Sequence, residues 1–407
     1  MGRHAAPAGS AGGLPPGGAA PRRLTHGPLP RRWLVVAGAA AGAALLVAAL
    51  VAVGLPRYRT TVHGTGVLAD SGRTDAPVAA PPSPPPPAQS APSATPSVPG
   101  EVTMAFAGDV HFAGRTTSRA GFGAEVLGPI GRTLAAADVG MVNLESAITE
   151  RGTEEPKQFH FRAPAVALDS LRRSGVDVAT MANNHAVDYG PVGLSDTLAA
   201  IGEHRLPVVG VGADAARAYA PWYTTVRGTR VAVIGASQIH DRTMAAWTAS
   251  TAGPGIASAT SDRLAASVRA ARQQATIVVV YLHWGTEGRE CPNAEQRAVA
   301  QRLADAGADA VVGTHAHLLL GGGWLGSTYV DYGLGNFLWW LDNAYSNDTG
   351  VLTLTFRDRH AVRSVFTPAE IDGRGVPLPA TGAQARRILG KLDRVRGCAD
   401  LSARPTG

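Results

Sequence analysis

Residues 103–111 read TMAFAGDVH, an apolar β-type run that ends in an acidic and an imidazole side chain. Thr103–Ala107 predicts a strand. Asp109 and His111 follow it two residues apart, so in an extended chain both side chains point to the same side. Gly108 leaves the backbone beside Asp109 open. Open α/β folds build their sites at the carboxyl ends of strands, so this stretch indicates both a sheet and a site at its edge.

The same pattern recurs further along the chain. Each time a β-type run is closely followed by side chains that bind metals, and the carboxyl ends of several strands converge at one edge of a sheet. One Asp, one Glu, one Asn and four His suit two borderline metal ions that share a carboxylate. The further runs and motifs are Val139–Val142 with Asn143-Leu144-Glu145, Val176–Met181 with Asn183-Asn184-His185, Thr276–Leu282 with His283-Trp284-Gly285, and Ala308–Val312 with Gly313-Thr314-His315-Ala316-His317.

Each motif also has a plainer explanation when it is taken alone. The acidic residues can form turns or solvated caps, and the Asn183-Asn184 pair can cap a helix. A single histidine such as His283 is usually a buried residue with a hydrogen-bond partner. His315 and His317, two residues apart behind a strand, are the pair most typical of metal ligands. The joint occurrence of all the motifs at strand ends favours one common site.

Basic residues are concentrated at the amino-terminal end. The chain has 37 Lys and Arg against 31 Asp and Glu, a formal net charge of +6. Residues 1–60 contain seven Arg and no acidic residue, and without them 30 basic side chains face 31 acidic ones. The positive charge therefore belongs to the first sixty residues, and no nucleic-acid partner is indicated.

Residues 33–55 predict a membrane anchor. The stretch from Trp33 to Leu55 has no charge and exceeds the roughly 20 residues that cross a bilayer. Four arginines within residues 22–32 precede it and two follow, so the positive-inside rule predicts that residues 1–32 are a disordered cytoplasmic tail and that the main domain is extracellular. The alternative is a cleaved signal peptide, whose apolar core is normally only about 7–15 residues long.

Residues 56–100 are dominated by Pro, Ala and Ser, with Pro84–Pro87 consecutive. Such a composition cannot bury enough apolar surface to fold and stays extended, so we expect a disordered extracellular stalk. On this topology Cys291 and Cys398 face an oxidising exterior. They can form a disulfide or remain free thiols, and the sequence leaves both alternatives open.

Residues 101–368 predict a folded α/β domain. Apolar runs alternate with amphipathic helical stretches, and the later strands follow one another after short turns, which favours antiparallel pairs. This succession indicates two sheets packed face to face with helices outside. Residues 369–407 predict a basic helix, Thr381–Arg396, and a frayed tail. The helix candidates within the domain are Pro164–Ser174, Pro191–Glu203, Ser261–Gln274 and Ala294–Ala306.

The motifs extend into longer stretches that match a known pattern. They read FAGDV (106–110), VNLE (142–145), ANNHAVDYG (182–190), HWGTE (283–287), AGAD (306–309), GTHAH (313–317) and GLGNF (333–337). In these motifs the chain resembles the CapA capsule-synthesis (poly-γ-glutamate biosynthesis) family, within the calcineurin-like metallophosphatase superfamily. The resemblance covers about residues 101–368. It implies a four-layer α/β/β/α sandwich with a two-metal site.

The resemblance also implies a role for each site residue. One ion would be held by Asp109, His111, Glu145 and His317, and the other by Glu145, Asn184, His283 and His315. His185 would donate a proton to the leaving oxygen, with Asp188 orienting it. Mixed nitrogen and oxygen ligands suit two divalent ions of Mn, Fe or Zn, which activate a bridging hydroxide and neutralise charge that develops on phosphorus.

Two motifs depart from the pattern. Glu145 stands where the superfamily normally has the Asp of Gly-Asp-x-x-Asp, and its extra methylene predicts a looser bridge or partial metal occupancy. The GTHAH motif has Ala316 where the CapA family usually has Pro, but both ligand histidines are kept. Neither departure removes a side chain that can bind a metal.

Three functions remain open on the sequence. A membrane-anchored extracellular hydrolase of phosphoesters or related bonds, acting in cell-envelope or capsular polymer metabolism, is favoured because a full ligand set accompanies a proton donor. A non-catalytic component of poly-γ-glutamate synthesis or export is the main alternative, and a purely structural metal is the third. The expected partners are the membrane, an anionic polymer or phosphoester substrate, and other membrane proteins of capsule synthesis.

Overall fold

Strands and helices alternate along residues 100–406, the part of the chain that this computed structural model describes. The strands are β1 (Glu101–Val110), β2 (Val139–Leu144), β3 (Ala147–Ile148), β4 (Arg162–Ala163), β5 (Val178–Thr180), β6 (Val208–Val209), β7 (Val211–Gly212), β8 (Trp222–Val226), β9 (Thr229–Ser237), β10 (Gly255–Ile256), β11 (Ile277–His283), β12 (Ala310–Thr314), β13 (Gly322–Leu325), β14 (Thr328–Asp331), β15 (Asn336–Leu338), β16 (Asp348–Arg357), β17 (His360–Ile371) and β18 (Pro377–Pro379).

Helices connect many of these strands. The α-helices are α1 (Gly131–Ala135), α2 (Val166–Arg173), α3 (Gly190–Glu203), α4 (Ala215–Ala218), α5 (Arg242–Trp247), α6 (Asp262–Arg272), α7 (Ala294–Ala306) and α8 (Gly382–Ala399). Short 3₁₀ helices cover Gly114–Gly121, Gly123–Glu125 and Ala344–Ser346. Helix α7 has the bounds predicted from the sequence: the side chain of Asn293 caps its first turn in a capping box with Gln296, and Gly307 ends it at φ 102°.

The first sheet has the order β18-β17-β16-β1-β2-β5-β6, with β15 added at the end of β1. Strands β1, β2, β5 and β6 are parallel, whereas β16, β17 and β18 are antiparallel to their neighbours. The second sheet has the order β13-β14-β12-β11-β9-β8, parallel in its middle with an antiparallel strand at each edge. The expected antiparallel pairs in the second half are therefore confirmed.

Three layers of apolar contact show how the sheets and helices stack. In β11, Ile277, Val279 and Tyr281 pack in the core between the two sheets, and the intervening Val278 and Val280 pack against the outer helices. Such a strand is buried on both faces, which explains its unbroken apolar run. In β1 the same alternation places Met104 and Phe106 between the sheets, and Ala105 and Ala107 on the helical side.

The helices cover the outer faces of both sheets. Leu134 of α1, Leu168 of α2 and Leu194 of α3 belong to the core of the first sheet's outer face. Leu264 of α6 and Leu303 of α7 belong to that of the second. Burial of each such side chain contributes about 1.5–3 kcal/mol. The layer order is helix, sheet, sheet, helix, as the resemblance implies.

The carboxyl-terminal residues differ from the prediction. Strand β17 continues to Ile371, so the predicted boundary at residue 368 falls inside a strand, and β18 extends the same sheet. The tail predicted to be frayed is held by the second sheet, because Ser402 exchanges backbone hydrogen bonds of 2.8 and 3.0 Å with Trp324. Pairing with a distant edge strand orders a segment whose own composition predicts fraying.

Cys291 and Cys398 form a disulfide, which decides between the two alternatives that the sequence left open. The bond joins the segment before α7 to the end of α8 across 107 residues of sequence. Arg297 reinforces the same contact by donating a hydrogen bond of 2.6 Å to the carbonyl of Ala399.

The predicted cytoplasmic tail, membrane anchor and stalk (1–32, 33–55 and 56–100) lie outside the described residues, apart from Gly100. Within residues 100–406 none of the helices combines the length and apolar character needed to cross a bilayer.

Candidate metal centre

Strand ends of both sheets meet at one buried point. Asp109 lies at the end of β1 and His111 just after it, while Glu145 follows β2 directly. His283 is the last residue of β11 in the other sheet. Asp109, His111, Glu145 and His283 are all fully buried. The structure thus brings together the strand-end side chains that the sequence analysis singled out.

Glu145 occupies the middle of this group. Its Oε2 lies 2.9 Å from Nε2 of His111, and its Oε1 lies 3.3 Å from Nε2 of His283. Two clusters of possible ligand atoms, each within 4.8 Å, both include it: Asp109–Glu145–His317 and Glu145–His283–His315. A carboxylate common to two clusters is the arrangement that a two-metal site requires.

The first cluster joins the two sheets through Asp109. Its Oδ2 lies 3.3 Å from Nδ1 of His317, and its Oδ1 accepts a hydrogen bond of 2.7 Å from the amide of Asn143. Asn336 places a carbonyl oxygen 2.9 Å from the same Nδ1 of His317. Asp109 and His317 are therefore both oriented by a neighbouring side-chain amide. Metal ligands are commonly oriented by hydrogen-bond partners of this kind.

In the second cluster three side chains converge on His283. Its Nε2 lies 2.8 Å from Oδ1 of Asn184 and 2.9 Å from Nδ1 of His315, besides its approach to Glu145. Glu145 Oε1 is buried and has no hydrogen-bond partner among the described residues. Nitrogen and oxygen atoms that can act as ligands meet at one point, and one carboxylate oxygen among them has no hydrogen bond. This arrangement fits a divalent ion of the borderline class.

The protonation states of the buried groups support this fit. Although burial alone raises the pKa of Glu145, the imidazoles of His283 and His111 hold it well below its ordinary value. Burial and the neighbouring His283 lower the pKa of His315 well below its usual range, and burial also lowers the pKa of His111. A charged carboxylate and neutral imidazoles are the forms that bind metal ions.

The pKa of His317 is shifted in the opposite direction. Burial alone would lower its pKa, but a hydrogen bond with Asp109 and the negative charges of Glu145 and Asp109 raise it to about 9. The two carboxylates therefore stabilise positive charge at this end of the site. A bound cation would compete with the proton on His317 for that stabilisation.

The backbone at the two histidines after β12 is unusual. His315 has φ 93° and His317 has φ 56°, both in the left-handed region that residues with a β-carbon seldom adopt. Each such conformation costs on the order of 1–3 kcal/mol. The amide of His315 lies 3.3 Å from Oδ2 of Asp109, so contacts with the first sheet help to hold this loop. Strained backbone at ligand candidates is typical of a functional site.

His185 lies beside the clusters with its ring held in place. Its Nδ1 lies 2.7 Å from Oδ2 of Asp188, which leaves Nε2 facing Glu145 Oε1 at 4.0 Å. Asp188 also accepts hydrogen bonds of 2.7 Å from the amide of Phe161 and 2.6 Å from the ammonium of Lys157. The structure therefore places Asp188 where it can orient His185.

Several residues of the site were missed by the sequence reasoning. Lys157 and Phe161 come from a loop without a strand-end signal, and Trp339 packs its ring 4.5 Å from that of His111. Asn336 belongs to the GLGNF motif, to which no role was assigned. The close approach of this motif explains Gly108, since a β-carbon there would lie 1.9 Å from the carbonyl oxygen of Gly335.

Comparison with known proteins identifies relatives of this chain. The family model described as Bacterial capsule synthesis protein PGA_cap matches residues 103–339, more than half of the chain. PGA biosynthesis protein CapA of Bacillus subtilis (strain 168) is 29% identical over 265 residues, 64% of this chain and 68% of the relative. Capsule biosynthesis protein CapA of Bacillus anthracis is 32% identical over 231 residues, 56% of this chain and 55% of the relative.

A third relative is a probable polyglutamine synthesis accessory protein of Mycobacterium tuberculosis, 31% identical over 224 residues, 52% of this chain and 59% of the relative. The chain thus spans about two thirds of the first relative and less of the other two. Among solved structures, a putative 5'-nucleotidase from Staphylococcus aureus has a TM-score of 0.43 and 17% identity, covering 72% of this chain and 58% of that one. NAD nucleotidase of Haemophilus influenzae has a TM-score of 0.41 and 14% identity, covering 75% and 65%.

Proposed function

Because this chain belongs to the bacterial capsule synthesis protein family PGA_cap, we propose that it hydrolyses a phosphoester or related bond in the metabolism of a cell-envelope or capsular polymer. The observation that carries this proposal is the buried Glu145 between two ligand clusters, with His185 held beside them by Asp188. A site that only stabilised the fold would have no need of an oriented imidazole at its edge.

The residues present suit two divalent ions. Asp109, His111, Glu145 and His317 would hold one ion, and Glu145, Asn184, His283 and His315 the other, with Mn, Fe and Zn as candidates. When bound, such ions supply an activated water and neutralise the negative charge that develops on phosphorus. This chain's own carboxylates, imidazoles and amide would bind and orient them.

His185 supplies the proton in this proposal. Water gives up a proton to solvent and adds its oxygen to phosphorus, and the bond between phosphorus and the leaving oxygen breaks. The leaving oxygen takes a proton from Nε2 of His185, and solvent returns a proton to that nitrogen before the next turnover. Asp188 keeps the ring oriented by accepting the hydrogen bond from Nδ1, and Lys157 with the amide of Phe161 holds Asp188. General acid catalysis of this kind contributes about 10²–10⁴-fold.

We further propose that the chain is a single-pass membrane protein with a cytoplasmic amino terminus and an extracellular metal centre. The uncharged span 33–55 and the arginines before it support this topology, and the disulfide suits an oxidising exterior. A reporter enzyme that is active only outside the cell, fused after Gly100, should be active. An intact but silent fusion would reject the topology.

A second candidate function is a non-catalytic component of poly-γ-glutamate synthesis or export. The names of the relatives favour it, since they refer to PGA biosynthesis, to capsule biosynthesis and to an accessory protein of polyglutamine synthesis. Such a role needs contacts with an anionic polymer and with other membrane proteins of the pathway, and it does not need turnover.

Paired histidine variants test the hydrolase. His185→Ala should keep both metal ions but lose about 10²–10⁴-fold in rate on an alkyl phosphate, and less on an aryl phosphate whose leaving oxygen barely needs a proton. His315→Ala should lose metal as well as rate. His240→Ala is the matched control, because that imidazole lies in an exposed ion pair with Glu295.

Metal content by elemental analysis and rates on both esters separate the outcomes. Loss of metal in His185→Ala would show that the assigned roles are wrong. Unchanged hydrolysis in both variants, together with reduced polymer production in cells, would favour the accessory role.

A further inference from the structure

A row of aromatic side chains leads away from His185 to the surface. The ring of Phe161 lies 4.5 Å from that of His185 and 5.2 Å from that of Trp340, and the ring of Phe159 lies 5.6 Å from Trp340. Phe161 is buried, Trp340 is half-buried and Phe159 is 47% exposed. We call these three residues, Phe159, Phe161 and Trp340, the aromatic shelf.

Both loops that carry the shelf are fixed by polar contacts. The amide of Phe161 donates a hydrogen bond of 2.7 Å to Asp188, and its carbonyl accepts one of 3.1 Å from Ala147. On the other loop, Arg115 donates hydrogen bonds of 3.0 Å to the carbonyl of Trp339 and 2.7 Å to that of Leu341, on either side of Trp340. The shelf is therefore formed before any ligand arrives.

The position of the shelf determines which part of a substrate it can meet. Phe161 packs on the imidazole that would protonate the leaving oxygen, and its ring also lies 4.2 Å from that of His111. Atoms attached to the leaving oxygen that extend from His185 past Phe161 reach Trp340 and Phe159. The group in contact with the shelf is the leaving alcohol, and the phosphorus stays at the ligand clusters.

The chemistry of the shelf indicates what that alcohol contains. Its three side chains are uncharged and offer flat apolar faces, which favour stacking with another ring. A polyanionic chain such as polyglutamate carries no ring and would meet no positive charge on these side chains. The ammonium of Lys157 is already paired with Asp188, 2.6 Å away.

We propose that the aromatic shelf is a specificity subsite that binds a ring in the leaving alcohol, either an aromatic ring or the face of a sugar. This inference rests on the proposed hydrolysis for its orientation, and it names the class of substrate. Phe159 and Trp340 act as specificity-determining residues that bind substrate away from the reacting atoms.

Three phosphomonoesters of primary alcohols test the proposal with the full chain: benzyl phosphate, glucose 6-phosphate and n-butyl phosphate. Their leaving oxygens need protonation to a similar degree, so their ratios of kcat/KM report binding of the alcohol. Trp340→Ala should lower kcat/KM about 5- to 100-fold for the ring-bearing esters and less than about twofold for butyl phosphate. Trp340→Phe should restore the preference, and Phe122→Ala, which removes an exposed aromatic on Arg119, should leave it unchanged.

The two ring-bearing esters distinguish the source of the ring. If Trp340→Ala lowers kcat/KM only for benzyl phosphate, the shelf binds an aromatic ring. If it lowers kcat/KM for glucose 6-phosphate, the shelf binds the face of a sugar. Equal losses on all three esters, or no loss on any, would overturn the proposal while leaving the hydrolase intact.

Binding provides a readout that does not need turnover. Calorimetric titration with benzylphosphonate and butylphosphonate should show tighter binding of the ring-bearing compound, and Trp340→Ala should abolish the difference. If no ester is hydrolysed but this difference is present, the hydrolase fails and the subsite stands. If the wild-type chain binds both phosphonates equally and Trp340→Ala leaves kcat/KM on glucose 6-phosphate unchanged, the subsite is rejected.

Discussion

The two sheets contribute different chemistry to the metal centre. The first sheet supplies both carboxylates, the amide ligand candidate and the proton donor, namely Asp109, Glu145, Asn184 and His185, together with one imidazole, His111. To the ligand sets proposed above, the second sheet supplies imidazoles only, from His283, His315 and His317. The negative charge therefore comes from one side of the molecule and most of the nitrogen ligands from the other.

The two sheets also position their side chains differently. Asp109 lies within a strand, and Glu145 follows one, so the spacing of an extended chain sets their directions. His315 and His317 lie in left-handed backbone after β12, and their directions depend on contacts with the first sheet. This difference teaches that the directions of the two carboxylates are set by the local strand geometry. The directions of His315 and His317 are set only when the two sheets pack together.

Replacing the carboxylate common to both clusters should have the largest effect. Glu145→Gln keeps the size of the side chain but removes its charge, so both ions should be lost and kcat/KM on an alkyl phosphate should fall at least about 10³-fold. Elemental analysis and steady-state rates measure the two losses, and circular dichroism checks that the fold is kept.

Glu287→Gln is the matched control for this change. Glu287 is exposed and lies near His315 and His317, where it also forms a possible ligand cluster. Metal content should stay unchanged in this variant. If Glu287→Gln loses metal and Glu145→Gln keeps it, the shared carboxylate has been assigned to the wrong residue.

The disulfide lies on the side of the second sheet, and its removal should affect stability without changing the ligands. Replacing Cys291 and Cys398 together by Ser should lower the free energy of unfolding by about 2–4 kcal/mol, since a long closed loop is released in the unfolded chain. Thermal unfolding measures the loss, and reduction of the wild-type disulfide should reproduce it. Equal melting temperatures for all three samples would count against a disulfide in the folded protein.

The smallest expected effect concerns Asp331, a buried carboxylate of the second sheet outside the ligand set. Burial raises its pKa from 3.8 to about 7, against a hydrogen bond from the amide of Gly333. The folded state thus binds the proton more tightly than the unfolded state, and stability falls as the pH rises from about 4 through 7. Asp331→Asn removes this penalty.

The stability of Asp331→Asn relative to the wild-type chain should therefore increase by about 2.5 kcal/mol between pH 5 and pH 8. Thermal unfolding at the two pH values measures the difference. A gain of equal size at both values would mean that the carboxylate is already ionised at pH 5 in the folded protein.

Much of the fold follows from local pattern. The continuous apolar runs of β11 and β12 predict strands, and the helical spacing of residues 294–306 predicts α7 with the bounds that the structure has. The carboxyl-terminal tail was predicted wrongly, because its order comes from pairing of Ser402 with Trp324. A short polar segment carries no local signal for a partner so distant in sequence.

In the candidate site, too, some residues follow from local sequence pattern and others only from distant contacts. Strand-end motifs brought Asp109, Glu145 and His283 into consideration, and the resemblance to a family assigned them ions. Lys157, from a loop, and Asn336, the first residue of β15, were missed. They act on Asp188 and His317 through contacts between separate segments of the chain. Such contacts have no periodicity and follow no strand, so a pattern search does not find them.

The sequence by itself determined the strands that lead to the site, most of the helices and the side chains able to bind metal, because these depend on period, capping and residue type over a few neighbouring positions. Only the tertiary structure decided that Glu145 lies between two clusters, that Cys291 pairs with Cys398, and that an aromatic shelf leads away from His185. Each of these is a contact between residues far apart in the chain, and it exists only once two sheets and their loops have packed.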